Sequence, residues 1–362
     1  MQKYLMIFIV SLLFAITAAC GAEQTFVKIG DVVYGASPDE QGPIGGGNGY
    51  KHIITNGDFI ATNVDSLLDV LSQAKAGQVV FIPGETEIDL TTRIYVDEIV
   101  LTVPEGVTLA GERGWNGSKG ALLLSDALKT PTMILAAGPD VRVTGLRIQG
   151  PCSKRHMEHH RRSFAHPGGL GSSYYYQFPI SYGISTAFPN LEVDNCEISA
   201  FNHTAIRAIK EGGHHVHHNY IHHCQYNGLG YGIGLERGAT SLIEFNLFDY
   251  NRHSIAGDGR PGGGFIARNN VELGVSLSHC FDMHGGRDRR DGTDIAGTSI
   301  EIYNNTFRAP TKAVGIRGVP QEKCDVYHNW FQAHHNVKEA VFAEDKTTVK
   351  DNAYGEKPEK AE

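Results

Sequence analysis

The chain has no C-x-x-C pair, no surplus of basic residues and, beyond residue 20, no apolar run long enough to cross a bilayer. The first absence removes the familiar redox and zinc-clip spacings. The second, 32 Lys and Arg against 40 Asp and Glu for a net charge of −8, argues against a general nucleic-acid binder. The third leaves a lipid anchor as the one route to a membrane. Charged residues make up 20% and Gly is plentiful, at 43 of 362 residues, which suits one large all-β domain. Five cysteines follow residue 20: Cys152, Cys196, Cys224, Cys280 and Cys324. An odd number leaves at least one unpaired in an exported protein, and most are expected to be small buried hydrophobes.

The first twenty residues, MQKYLMIFIVSLLFAITAAC, read as a secretory signal: Lys3, an apolar run, then Ala18 and Ala19. Cys20 directly after the small residues resembles a bacterial lipobox, with Thr17 where that motif carries leucine. The resemblance implies lipid attachment at Cys20 and an outer-membrane or cell-surface lipoprotein. Plain periplasmic or secreted export is the alternative.

Beyond it, one short pattern recurs: VTGLRI, VDNCEI, VHHNYI, IEFNLF, IARNNV, IYNNTF, VYHNWF and VKDNAY. Its fourth position is Asn in the last six, read as Asn219, Asn246, Asn269, Asn305, Asn329 and Asn352, and subtracting from Cys196 onward gives gaps of 23, 27, 23, 36, 24 and 23. A unit this short cannot bury a face alone and must stack on its neighbours. An in-register Asn can bond the coils above and below and tolerates a left-handed turn. The fold class predicted is therefore all-β, a parallel β-helix over residues 21–354 with an insertion at 151–179 and a disordered tail at 355–362. NVDSLLDVLSQAKAG (63–77) is predicted as a short N-terminal helix, N-capped by Asn63 and closed by Gly77, capping the first coil.

GGGNGY ending at Tyr50, that helix, VVFIPGETEIDLT (79–91) and VPEGVTLAGERG (103–114) resemble the opening of the pectin-lyase-like superfamily of right-handed parallel β-helices. The resemblance covers about residues 28–354 at the level of fold and leaves lyase, hydrolase, epimerase and inert adhesin open.

Candidate chemistry lies in the strands that follow the Asn-bearing ones. Aligned on Ile206, Ile233, Ile255, Met283 and Ile316, they present Arg207, Gly234, Ala256, His284 and Arg317 on one side of the apolar residue. On the other side come Ala205, Gly232, Ser254, Asp282 and Gly315. Mostly small side chains make a groove floor, with Arg207, Asp282, His284 and Arg317 as exceptions. Asp282 and His284 share a face by strand alternation. NRHSIAG (251–257) admits two registers, presenting either His253 or Arg252 and Ser254.

Cleaving a uronate glycan requires a cation on its carboxylate, a base for the C5 proton and an acid for the leaving oxygen. His284, oriented by Asp282, fits the base and Arg317 the carboxylate grip; His253, Tyr231 or Tyr250 fits the acid. FDMHGG resembles the D-P-H-D motif of β-helical mannuronan C5-epimerases, which implies the same roles for Asp282, His284 and Arg317. Met283 and Gly285 depart from that motif. Arg207, Arg252, Glu236, Tyr231 and Tyr250 are read as substrate contacts along the groove. Within the insertion PCSKRHMEHHRRSFAHPGGLGSSYYYQFP, Arg161 and Tyr175 are read as contacts to an acidic glycan.

Four other readings weigh against these. A hydrolase would pair Asp282 with Glu236 or Asp258, and a non-catalytic glycan-binding surface protein would need none of this chemistry. The HHVHHNYIHHC run lacks convergence for a metal because His217 and His218 are adjacent, so no metal site is expected. Calcium at Asp288, Asp291 and Asp294 is opposed by interleaved Arg287, Arg289 and Arg290. The expected protein is a monomeric polysaccharide lyase acting on an acidic polysaccharide, without a cofactor.

Overall fold

The computed structural model describes residues 24–361. The signal segment and Cys20 lie outside the described residues. The chain winds into a parallel β-helix whose walls are sheets of 11, 10 and 9 strands. One coil illustrates the rest: Thr240–Glu244 in the first sheet, Leu247–Asp249 in the second, His253–Gly257 in the third. Each strand pairs in parallel with its counterpart one coil on, about 4.8 Å away. Among the described residues no helix is long and apolar enough to cross a membrane.

The corner between the first two sheets carries the Asn ladder. Asn219, Asn246, Asn270, Asn305, Asn329 and Asn352 are fully buried. Each side-chain oxygen accepts the backbone N–H of the residue one coil earlier, from Cys196 N to Asn219 through Asn329 N to Asn352 at 2.9–3.0 Å. Each amide nitrogen donates to strand carbonyls, as Asn246 does to Val216 and Glu244. The ladder satisfies backbone groups that the sharp corner would otherwise strand without partners.

Two sequence expectations need correction here. Asn270, not Asn269, stands in the ladder, because Ala267 pairs with Ile243. The left-handed residue of the corner is the one before the ladder position: His218, Phe245, Asn269, Asn304, His328 and Asp351 all have φ of 52–54°. The ladder Asn is chosen for its amide alone. The one-residue shift puts Glu272 on the interior, opposite Phe248 and Phe307, which belong to the apolar core.

The N-terminal helix spans Val64–Gln73, with Asn63 capping the N–H of Ser66 at 2.9 Å and Leu67 and Leu71 buried in the core. It ends at Ala74, and Gly77 belongs to the following turn, bonded to Gly106. GGGNGY lies in no coil. After an antiparallel hairpin (Phe26–Ile29 with Val32–Gly35), the chain runs as a strap across the coil corners. Gly35 N bonds His328 O, Gly45 N bonds Phe245 O, and Gly47 N bonds the Asn195 side chain. Gly46 is required there: at φ 66° its absent Cβ would lie 2.3 Å from His218 O. The C-terminal tail is also ordered: Ala361 bridges Ala353, and Trp330 Nε1 donates to Gly355 O. The five cysteines among the described residues are buried and free.

Candidate active site

The third sheet positions the site. Its register aligns Arg207, Gly234, Ala256, Asp282 and Gly315 in one column. Phe281, rather than Met283, pairs with Ile255. The sequence alignment thus slipped by two residues over its first three coils. A slip of two preserves the inward and outward faces because the strand period is two. Its effect is lateral: Gly234 and Ala256 lie beside Asp282. The next column runs Glu236, Asp258, His284 and Arg317, carried by the bonds Asp258 N to Leu235 O, His284 N to Gly257 O and Arg317 N to Met283 O.

Asp282 is the hub, with no solvent exposure. Its Oδ1 lies 2.9 Å from His279 Nδ1. Its Oδ2 accepts from Arg317 Nη2 at 2.8 Å. The same oxygen lies 2.9 Å from His284 Nε2, off the line of a good hydrogen bond, and 3.7 Å from His253 Nε2. Burial pushes its carboxyl up, but the contacts from His279 and His284 outweigh that and hold it well below the usual carboxylate range. Gly315 makes the arrangement possible. A Cβ there would lie 2.6 Å from His279 Nδ1 and 3.0 Å from Asp282 Oδ1.

Of the two registers open for 251–257, the structure takes the one that turns His253 to the site. Its Nδ1 lies 2.5 Å from His279 O, so it carries the proton and Nε2 is a bare lone pair. Burial, the largest influence, drops its pKa to about 3. Tyr231 stacks on it at 5.8 Å. Burial raises the Tyr231 phenol to about 12, keeping it protonated. Ser254 turns inward to Asn251, and the Arg252 guanidinium lies 6.0 Å from the Tyr231 ring.

A pocket of about 280 Å³ opens over Gly234 and Ala256, with His284, Tyr231, Glu236 and Asp258 on its walls and Arg237 and Arg260 at its edge. Arg207 is held bidentately by Glu236 at 2.7 Å and stacks on Tyr182 at 4.6 Å. The floor between Arg207 and Asp282 is three coil steps, about 14 Å.

Several sequence assignments do not reach this pocket. Tyr250 is a left-handed turn residue stacked on His223 at 4.7 Å. Tyr175 is 2% exposed, stacked on His159 inside the insertion, so it offers no face to a sugar. Arg161 lines a separate pocket of the insertion. Arg317 is not free to grip a substrate: its Nη1 donates to Asp288 at 2.9 Å while Nη2 holds Asp282. Asp282 is too enclosed and too firmly ionised to act as a hydrolase acid.

His217 and His218, expected to face apart, have Nδ1 atoms 2.9 Å apart, because the left-handed backbone at His218 breaks the alternation. Glu192, Asp194 and His217 come close enough to share a metal ion. Arg142 already grips Asp194 with two nitrogens at 2.8 Å, and Tyr50 and Thr144 donate to it as well. Asp288, Asp291 and Asp294 are held singly by Arg317, Arg289 and Arg287 and form no convergent set among the described residues.

Sequence reading missed His279, His203 and Arg237. His279 stands three residues before Asp282, and a turn preceding the strand brings it back onto the carboxylate. His203 lines the pocket with Nδ1 2.8 Å from Thr204 Oγ1, and burial lowers its pKa to about 3. His203 and His279 each stand just before a strand, outside its alternation.

Compared by sequence, the chain matches no family model and no curated protein. Among solved structures it is similar to an alginate lyase from Paenibacillus sp. str. FPU-7, at 12% identity and TM-score 0.47 over 82% of this chain and 97% of that one. It is also similar to the Yersinia enterocolitica family 28 exopolygalacturonase, at 14% identity and TM-score 0.48 over 85% of this chain and 66% of that one. A third is the Dettilon tailspike protein, at 11% identity and TM-score 0.33.

Proposed function

We propose that the protein is an exported enzyme that cleaves an acidic, uronate-containing polysaccharide by abstracting the C5 proton and eliminating the group at C4. The observation that carries the reading is the Asp282–His284 pair, 2.9 Å apart, at the wall of a pocket floored by Gly234 and Ala256. Buried, ionised Asp282 favours the tautomer with its proton on His284 Nε2, which leaves Nδ1 as the base. Tyr231, held protonated, is the acid for the departing oxygen in this reading. Arg317 acts through Asp282 as a positioning residue. The uronate carboxylate falls to Arg237, which lines the pocket and carries no ion pair among the described residues.

C5 epimerisation begins with the same proton removal and is the second reading; Tyr231 would then have to return a proton to the opposite face of C5. The test offers a panel of uronate polymers to the wild type and His284→Ala and follows unsaturated-uronate absorbance, reducing ends and C5 deuterium uptake. Elimination gives absorbance, epimerisation gives deuterium alone, and both vanish in the variant. Undiminished turnover by His284→Ala would remove the imidazole from the mechanism, and reducing ends without absorbance would make the protein a hydrolase.

A further inference from the structure

The 151–179 insertion carries a second pocket that the chemistry above leaves unused. Two short helices, Glu158–Phe164 and Gly171–Tyr175, pack over an aromatic cluster in which His159 stacks on Tyr175, Phe178 and Tyr226 at 4.5–5.2 Å. The Tyr226 hydroxyl donates to Tyr175 O at 2.9 Å. Tyr175, expected to meet sugar, therefore belongs to the insertion's own core and helps clamp it to the loop around Tyr226. Above them opens a cavity of about 460 Å³ lined by Arg155, His156, Arg161, Arg162 and Tyr174, with Glu158 its one carboxylate.

The three arginines differ from others of the chain. Arg142, Arg207, Arg268, Arg287, Arg289 and Arg317 each hold a carboxylate. Arg155, Arg161 and Arg162 hold none among the described residues. Arg155 reaches only Asn227 at 3.4 Å, Arg161 the carbonyl of Met157 at 3.4 Å, and Arg162 lies over the Tyr174 ring at 5.3 Å. Three guanidinium groups face one carboxylate, Glu158, around one concavity and repel one another. An anion with planar or tetrahedral oxygens would relieve that repulsion and match their donors. The loop that anchors the insertion also carries Leu229, which lines the trough pocket. One loop thus touches the insertion through Tyr226 and the trough pocket through Leu229.

We propose that this cavity is an anion subsite for carboxylate or sulfate groups on a distal stretch of the glycan whose reacting unit lies in the trough; it rests on the trough being a glycan site. The enzyme then acts within chains, holding them at two points, and favours long substrates. The test compares the wild type with R155Q/R161Q/R162Q, both in a His284→Ala background so that nothing is consumed. Binding of polygalacturonate and of dextran sulfate is titrated at low salt. All three side chains are exposed, so folding is expected to survive, and R155K/R161K/R162K controls for shape. The triple glutamine variant is expected to bind at least one polymer about tenfold or more weakly, with partial recovery by lysine. Loss confined to dextran sulfate assigns sulfate, and loss confined to polygalacturonate assigns carboxylate. With His284 restored, KM rises on long chains while kcat holds. Equal affinity of wild type and glutamine variant for both polymers overturns the subsite. Failure of the trough reading shows differently, as charge-dependent binding without turnover.

Discussion

Arg317 and Asp282 sit on adjacent coils with a guanidinium nitrogen 2.8 Å from the oxygen of a fully buried carboxylate. That makes Arg317 the permanent counter-charge of the site, the other neighbours being imidazoles. Arg317→Ala is expected to destabilise the protein by about 3 kcal/mol, since removing one partner strands a buried charge. With the carboxylate no longer held from that side, kcat is expected to fall while KM changes little. Urea unfolding and steady-state kinetics check both; an unmoved kcat contradicts the positioning role. Arg317→Lys is expected to recover part of the stability.

Glu272 replaces the phenylalanine of the coils on either side, and neither of its oxygens has a well-directed hydrogen bond. Burial raises its carboxyl to about 8, against a small opposing pull from Ser254. The folded pKa exceeds the unfolded one, so between about pH 4.5 and 8 the folded protein keeps a proton the unfolded chain releases. Stability is whole below that window and falls by up to about 1.4 kcal/mol per pH unit across it. Glu272→Gln is therefore expected to melt higher than the wild type at pH 9 and near it at pH 4. Parallel melting curves across the range would place the proton elsewhere.

The Asn ladder gives a sharp test of register. Asn270→Ala removes donors to Ile243 O and Arg268 O and strands the N–H of Asn246. A loss of about 3 kcal/mol is expected. Asn269→Gly, one residue away at φ 53°, is expected to stay within about 1 kcal/mol, because glycine accepts left-handed backbone freely. Urea midpoints separate the two, and the reverse order of effects would restore the other register.

His253, Asp282 and His284 bring three possible ligand atoms within 4.8 Å of one another. The Asp282 oxygen they share already accepts from Arg317, and a second cation beside that guanidinium is opposed by repulsion. Turnover is expected to survive dialysis against EDTA and to gain nothing from added zinc, manganese or calcium. Loss on chelation and recovery with one of these ions would convert the two histidines from base and neighbour into ligands.

What the sequence determined by itself was local and periodic. Strand alternation placed Asp282 and His284 on one face and Phe281 and Met283 inside. The spaced Asn residues specified stacked coils, and the small residues among the apolar ones marked a trough. These follow from backbone geometry repeated every two residues and every coil, so a short stretch contains them whole. The tertiary structure decided how coils slide past one another and which charges meet. The two-residue slip before Asp282, the return of His279, the binding of Arg317 by Asp288 and the shift from Asn269 to Asn270 all depend on how loops of unequal length close. Loop closure sums over many residues and leaves no periodic trace. It is also why Arg207 and Arg268 meet carboxylates one coil away through strand register, while no such register governs Arg155, Arg161 and Arg162 in the insertion.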